Sequence, residues 1–391
     1  MIRDISFSRL NKKDYTFRIG EDVLDTLAED IRAIKADVEK VLIFTNAVDE
    51  PRMAFKVYEK LESAGITSVT HAIRYGDEAK NFDEAGRALA RIHEKEALDC
   101  DFVLIVGNES VLELGAFVSD LLYNKAAYAY VVTTPQAALK VPFLSGKINV
   151  GKYKSLIGFE PKPSFALYDQ IAERSLGVKT LRDVFPVFLQ RAIGQSLYQF
   201  NNLYLHAEEI AKRDQLHYVT ALSDALYALS KLYKEVDGVE ELKDYPEYSF
   251  GSWVSSALEK AIGRGKFYEG ELLAEGMRFE ARLASELAGF DTAYVDMLDS
   301  YLEKVGVKPL EVDIDEEKFF ITLLGKEPEF LQLSQEEQEA EGIPDEVLVK
   351  LPKKPGEFTQ MSVDQSVLVM HIEAFCNTRR ELVPAHKRRG A

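Results

Sequence analysis

The chain is expected to fold as an α/β domain with a mostly parallel sheet, followed by an all-helical domain. Three observations lead there. Short apolar runs rich in Val, Ile and Phe alternate with stretches of helical periodicity as far as about Asp169. From Gln170 onward the apolar spacing is almost everywhere that of a helix. A length of 391 residues is enough for two hydrophobic cores.

Taken in order, Tyr15–Ile19 (YTFRI) is a short strand and Glu21–Ile34 has helical spacing. Lys40–Thr45 (KVLIFT) is a buried strand, and a helix follows from about Pro51 to Ala64. Ser68–Ile73 is the next strand and Asn81–Glu96 an amphipathic helix. Asp101–Val106 (DFVLIV) is a second buried strand, which feeds the helix Val111–Tyr123, and Ala129–Thr133 (AYVVT) completes the series. Strands that alternate with helices imply a parallel sheet covered on both faces. The second region, 170–332, contains long periodic stretches such as Leu216–Tyr233 and Glu269–Leu287. The third, 333–391, opens with the acidic run LSQEEQEAE, holds an apolar helix candidate at Gln365–Cys376, and ends in the basic tail His386–Ala391, read as solvated.

Composition excludes several classes of function. A formal net charge of −17 disfavours non-specific nucleic-acid binding and docking on anionic lipid. Two cysteines make no disulfide framework, so a reducing, cytoplasmic setting is expected. The N-terminus (MIRDISFSRLNKKDYTF) lacks the apolar segment of a signal peptide, and no run is long enough to span a bilayer.

The most informative motif comes directly after the DFVLIV strand. Gly107-Asn108-Glu109-Ser110 occupies the strand-to-helix turn where an α/β protein usually closes glycine-rich backbone on a phosphate. Only Gly107 is a glycine, and Glu109 places a negative charge where an anion would sit.

An ordered series of further matches covers about residues 15–305. Tyr75–Asn81 (YGDEAKN) resembles a P-G-E-x-x-K segment, and Val106–Phe117 (VGNESVLELGAF) resembles G-G-G-x-x-G-D-x-x-G-F. Val131–Thr134 (VVTT) resembles V-P-T-T, and Lys147–Gly158 (KINVGKYKSLIG) resembles a lysine-rich K-x-x-x-N…G-K-N-x-I-G segment with a short deletion. In this order the motifs resemble those of the dehydroquinate synthase-like superfamily, which includes the sugar-phosphate cyclases. The resemblance implies a Rossmann-like first domain, bound NAD, and a divalent metal, usually zinc, held by one Glu and two His.

Each implied metal ligand is changed here. The helix segment A-E-x-x-K corresponds to Leu189–Gly194 and puts Arg191 at the Glu. The G-H-x-x-G-H-x-x-E segment corresponds to Gly251–Glu259 and puts Ser252 and Ser256 at its two His. The H-G-E segment corresponds to Glu269-Gly270-Glu271 and puts Glu269 at the remaining His. A guanidinium is no zinc ligand, and one carboxylate with one hydroxyl makes no zinc site, so no metal is expected. Arg191 and Glu269 either form an ion pair in place of the metal or point separately to solvent. The implied NAD site is altered as well: Glu113 stands at the Asp of the turn, while Lys80, Gly107, Ser110, Thr133 and Thr134 remain as vestigial cofactor contacts. A side chain at Asn108 or Glu109 obstructs close approach of a pyrophosphate, so NAD is expected to bind weakly or not at all.

What survives is cationic. Lys80, Lys147 and Lys154 match the family's lysines, and Lys140 lies near an active-site position. Together with Arg191 they are expected to favour a phosphate or carboxylate ligand. Catalytic candidates are therefore Lys140, Lys147, Lys154, Arg191 and Glu269. Two readings result: a metal-independent, lyase-type enzyme of a specialised biosynthetic pathway, acting on a small anionic substrate, or a non-catalytic paralogue (pseudoenzyme) that binds or stabilises a partner protein. A conventional NAD-dependent cyclase ranks third. A homodimer is compatible with each.

Overall fold

A computed structural model of the protein describes residues 1–7, 15–144, 146–151, 153–233, 236 and 244–384. The chain divides into two compact units, Met1–Gly177 with Leu222–Glu241, and Val178–Ala221 with Leu242–Ala391.

The first unit contains strands β1 (Arg3–Phe7), β2 (Tyr15–Gly20), β3 (Lys40–Asn46), β4 (Thr67–Ile73), β5 (Phe102–Gly107), β6 (Ala127–Val132), β7 (Lys147–Val150), β8 (Tyr153–Gly158) and β9 (Phe165–Asp169). Seven of them form one sheet in the order β1-β2-β9-β6-β5-β3-β4, while β7 and β8 pair as a separate antiparallel hairpin. Within the sheet only β1 runs antiparallel to its neighbour. The central strands carry near-continuous apolar runs (Val41–Phe44, Phe102–Val106) because both faces are covered, as in parallel sheets generally. Val41, Ile43, Leu104, Val106 and Val131 lie in the same core as Leu27, Ile31, Val57 and Leu61. Those last four come from helices α1 (Leu27–Ile34) and α2 (Phe55–Ser63). Alternate residues such as Leu42, Phe44, Val103 and Ile105 are equally buried. The remaining helices of the sheet layer are α3 (Phe82–Glu94), α4 (Glu109–Leu121) and α5 (Pro135–Lys140). Gly115 lets α4 lie directly on the sheet: a Cβ there would come within 2.5 Å of Ile105 and 2.9 Å of Phe44.

The strand order positions a ligand crevice. From β3 the chain moves outward to β4 and then returns to the other side of β3 as β5. Between β3 and β5 the direction of winding reverses, and the loops leaving the carboxyl ends of these strands part to leave a crevice, the usual ligand position in an open α/β sheet.

The second unit is built mainly of helices: α6 (Val178–Arg182), α7 (Phe185–Gln195), α8 (Leu197–Leu205), α9 (Ala207–Ala211), α10 (Gln215–Leu232, whose later residues belong to the first unit), α11 (Pro246–Ser249), α12 (Ser252–Ile262), α13 (Glu269–Leu287), α14 (Thr292–Lys304), α15 (Glu316–Leu323), α16 (Gln335–Glu341) and α17 (Gln365–Leu382). A hairpin of β10 (Glu346–Lys354) and β11 (Glu357–Asp364) precedes α17. At its Pro355-Gly356 turn, Gly356 holds φ 83° and donates its N–H to the Ile193 carbonyl of α7 at 2.8 Å. The apolar candidate at Gln365–Cys376 is thus the first part of a longer helix. An internal ion network fastens it: buried Glu275 of α13 accepts from Arg278 (2.8 Å) and from Arg379 of α17 (2.6 Å). The basic tail His386–Ala391 lies outside the described residues.

Candidate functional site

At the carboxyl ends of β3 to β6 the residues singled out in the sequence form three linked groups. In the first, Glu113 of α4 is buried and its carboxylate takes the Lys80 ammonium at 2.6 Å and the Lys147 backbone N–H at 3.3 Å. Burial pushes the Glu113 carboxyl above the ordinary range, and Lys80 opposes that rise. The Lys80 carbonyl in turn accepts from Asn149 of β7 (2.9 Å), so the lysine joins the hairpin to the loop before α3. The Lys147 side chain is half-buried.

In the second group, Glu109 occupies the first turn of α4 and pairs with Lys140, at the end of α5, at 2.9 Å. Both side chains are about one-third exposed (38% and 35%), which screens the pair. Ser110 follows on the same turn and is half-buried. Gly107 has no room for a side chain, since a Cβ would meet Val111 at 2.5 Å.

The third group lies at the reversal of winding itself. Thr133 is buried, donates its N–H to the Gly107 carbonyl at 3.1 Å, and donates its hydroxyl to Asp49 at 3.2 Å. Asn46 donates to the same carboxylate at 2.8 Å and accepts the N–H groups of Val48 and Asp49. Burial raises the Asp49 carboxyl, with Asn46 and Thr133 pulling it back. Asp49 and its role escape a sequence reading, although N-x-x-D at the end of a buried strand is a usable signal for a self-closing turn. Thr134 serves the fold: its hydroxyl accepts from Ala137 N–H (3.2 Å) and, with Pro135 next, starts α5. The Lys154 side chain lies outside the described residues.

A second cluster sits in the helical unit. Arg191 of α7 is buried, donates to Gln190 Oε1 at 2.7 Å, and lays its guanidinium 4.3 Å from the centroid of the Tyr248 ring. Gln190 donates to the carbonyls of Phe250 (2.7 Å) and Tyr248 (3.1 Å) and to Ser252 Oγ (3.0 Å). Ser252 donates its own hydroxyl to the Tyr248 carbonyl at 3.1 Å. Ser256 is exposed, and Glu269 is exposed at the first position of α13, where a carboxylate complements the helix dipole. Behind these positions Glu280 of α13 is fully buried and accepts from Gly251 N–H (2.7 Å) and Val254 N–H (3.4 Å), closing the start of α12. Desolvation pushes its carboxyl up to about 8 despite those two donors. Trp253 donates its indole N–H to the Leu323 carbonyl at 3.0 Å.

The donor set at the implied metal position is a guanidinium, a hydroxyl already engaged by Gln190 and Tyr248, and an exposed carboxylate. That set does not fit zinc, which takes imidazole, thiolate and carboxylate ligands. Among the described residues no group of three or more His, Cys, Asp or Glu side chains is placed to hold a metal ion. No described helix is long and apolar enough to cross a membrane.

No family profile matches the chain. Among curated proteins it is 23% identical over 276 residues to the 3-dehydroquinate synthase of Caldanaerobacter subterraneus subsp. tengcongensis, covering 68% of this chain and 75% of that one. It is also 21% identical over 308 residues to the enzyme of the same name from Bacillus cereus, covering 78% and 84%. Among solved structures it resembles 2-deoxy-scyllo-inosose synthase with carbaglucose-6-phosphate, NAD+ and Co2+ bound, with a TM-score of 0.71 at 16% identity over 95% of this chain and 99% of that one. It resembles 2-epi-5-epi-valiolone synthase from Streptomyces hygroscopicus subsp. jinggangensis, with NAD+ and Zn2+ bound, with a TM-score of 0.69 at 17% identity over 96% and 99%. Along most of its length the chain is thus similar in sequence to 3-dehydroquinate synthases and shares the fold of these cyclases, which supports a dehydroquinate synthase-like protein.

Proposed function

We propose that this protein is a metal-independent, lyase-type member of its superfamily, acting on a small substrate with a phosphate or carboxylate group in a specialised biosynthetic pathway. The observation that carries this reading is Arg191, a buried guanidinium at the position corresponding to the metal-ligating Glu. Its fixed charge can hold an anionic oxygen or stabilise charge developing on one. It cannot lower the pKa of a bound hydroxyl as a divalent metal does. Lys147 and Lys154 are the further cations in this reading. Lys80 and Lys140 contribute less, because Glu113 and Glu109 neutralise them. NAD binding is weak or lost, because the Glu109 carboxylate stands at the helix start that would face the pyrophosphate.

A second reading, a non-catalytic paralogue that binds or stabilises a partner protein, draws support from the closed hydrogen bonding of Gln190 with Ser252 and of Asn46 with Thr133 around Asp49. Thermal unfolding with NAD, and with carbaglucose-6-phosphate in the presence of a chelator, separates the two. The enzyme reading expects protection by the sugar phosphate alone, undiminished by chelator and lost in Arg191→Leu. Protection by NAD at micromolar concentration, or metal-dependent protection, sinks it; protection by neither, together with a co-purifying partner, leaves the second. A double-mutant cycle of Arg191 and Glu269 tests their pairing, and strict additivity removes it.

A further inference from the structure

We propose that a pocket between α6, α9 and α14, which shares no residue with either cluster above, binds a small organic phosphate whose apolar body is about one ring in size. The pocket, of about 230 Å³, is lined by Arg182, Arg213 and Lys304 above a floor that includes Leu181, Phe185 and Val305. The three floor residues are buried and the three cations are exposed. None of the cations is paired with a described carboxylate, in a protein whose net charge is −17. Convergence of three unneutralised positive charges on one concavity runs against the average of this surface and selects an anion.

Two of the cations are also held in place. The Lys304 ammonium sits 4.2 Å from the centroid of the Tyr204 ring. Gly306 has φ 78°, and its missing Cβ leaves room for the Arg182 guanidinium, whose Cζ would otherwise be 3.0 Å away. Arg213 has φ 60° just past the end of α9, a left-handed position that glycine usually fills. The neighbouring Asp214 carboxylate is already taken by His217, at 2.7 Å.

Two guanidinium forks and an ammonium match a dianionic phosphate better than a single carboxylate. The floor adds an apolar contact, and the volume falls below that of pockets for drug-sized ligands, which limits the body to about one ring. Calorimetric titration of the full chain with phenyl phosphate, inorganic phosphate and phenol tests this. Phenyl phosphate is expected to saturate one site, to bind more tightly than either fragment, and to weaken as salt is raised. Arg182→Ala, Arg213→Ala and Lys304→Ala alter exposed side chains, so the fold is expected to persist, as thermal unfolding would verify. Each should weaken phenyl phosphate by about tenfold, while Arg191→Leu leaves it unchanged. Absence of saturation, parental affinity in all three alanine variants, or inorganic phosphate binding as tightly as phenyl phosphate overturns the proposal.

Discussion

Lys80 and Glu113 form a buried ion pair beside the strand-to-helix turn. A carboxylate at position 113 is buried beside an ammonium, and their attraction offsets the cost of bringing both out of water. Lys80→Met leaves the carboxylate without that partner and is expected to cost about 3 kcal/mol in urea unfolding at neutral pH. The loss should shrink as pH falls, because Glu113, already raised by burial and now lacking its lysine, takes up a proton. Lys80→Met with Glu113→Leu should cost less than the sum of the single changes. Thr134 illustrates the opposite case: its family position suggests a cofactor contact, yet its hydroxyl is spent on a helix start.

At the scale of elements, glycines and buried ions set how closely helices approach. Gly276 of α13 faces the Gly251 carbonyl, and a Cβ there would lie 1.9 Å from that oxygen. Gly276→Ala must push α12 off α13 and is expected to destabilise by about 3 kcal/mol, measured by thermal or urea unfolding. Gly270, retained from the H-G-E segment, likewise abuts Asp183, whose carboxylate accepts its N–H. Replacing Glu275 by Leu takes from Arg379 of α17 its buried carboxylate and leaves Arg278 of α13 with Asp299 at 3.4 Å and the Val307 carbonyl. A loss of about 4 kcal/mol is expected, with limited proteolysis releasing the C-terminal helix first.

For the whole molecule, two buried groups shape the pH profile in opposite senses. His71, packed on Phe44 and desolvated, is held neutral with its pKa lowered from 6.5 to about 4, so its contribution is lost as pH falls across that window. Glu280 is raised from 4.5 to about 8, so its contribution is present in acid and lost as pH rises toward 8. The two slopes oppose one another between about pH 4.5 and 6.5, and above that only Glu280 of the two still titrates. Stability is therefore expected to fall from pH 6.5 to 8, and Glu280→Gln should flatten that fall in chemical unfolding curves.

Much of the sheet was legible because a strand buried on both faces needs a continuous apolar run, as VLIF and FVLIV are. The hairpin Glu346–Asp364 was missed, because the acidic run and scattered prolines of the region point toward solvated chain, although Pro355-Gly356 between two alternating stretches is a turn signal. The sequence by itself determined the alternation of strands and helices, the family motifs in their order, and the residue types at the implied ligand positions. It could not show that Gln190 would bind Arg191, Ser252 and two carbonyls some 60 residues away, or that Arg182, Arg213 and Lys304 would meet. Periodicity is a local property written in neighbouring residues. A polar network depends on which backbone carbonyls and charges the packed helices bring within about 3 Å of one another, and only the tertiary structure decides that.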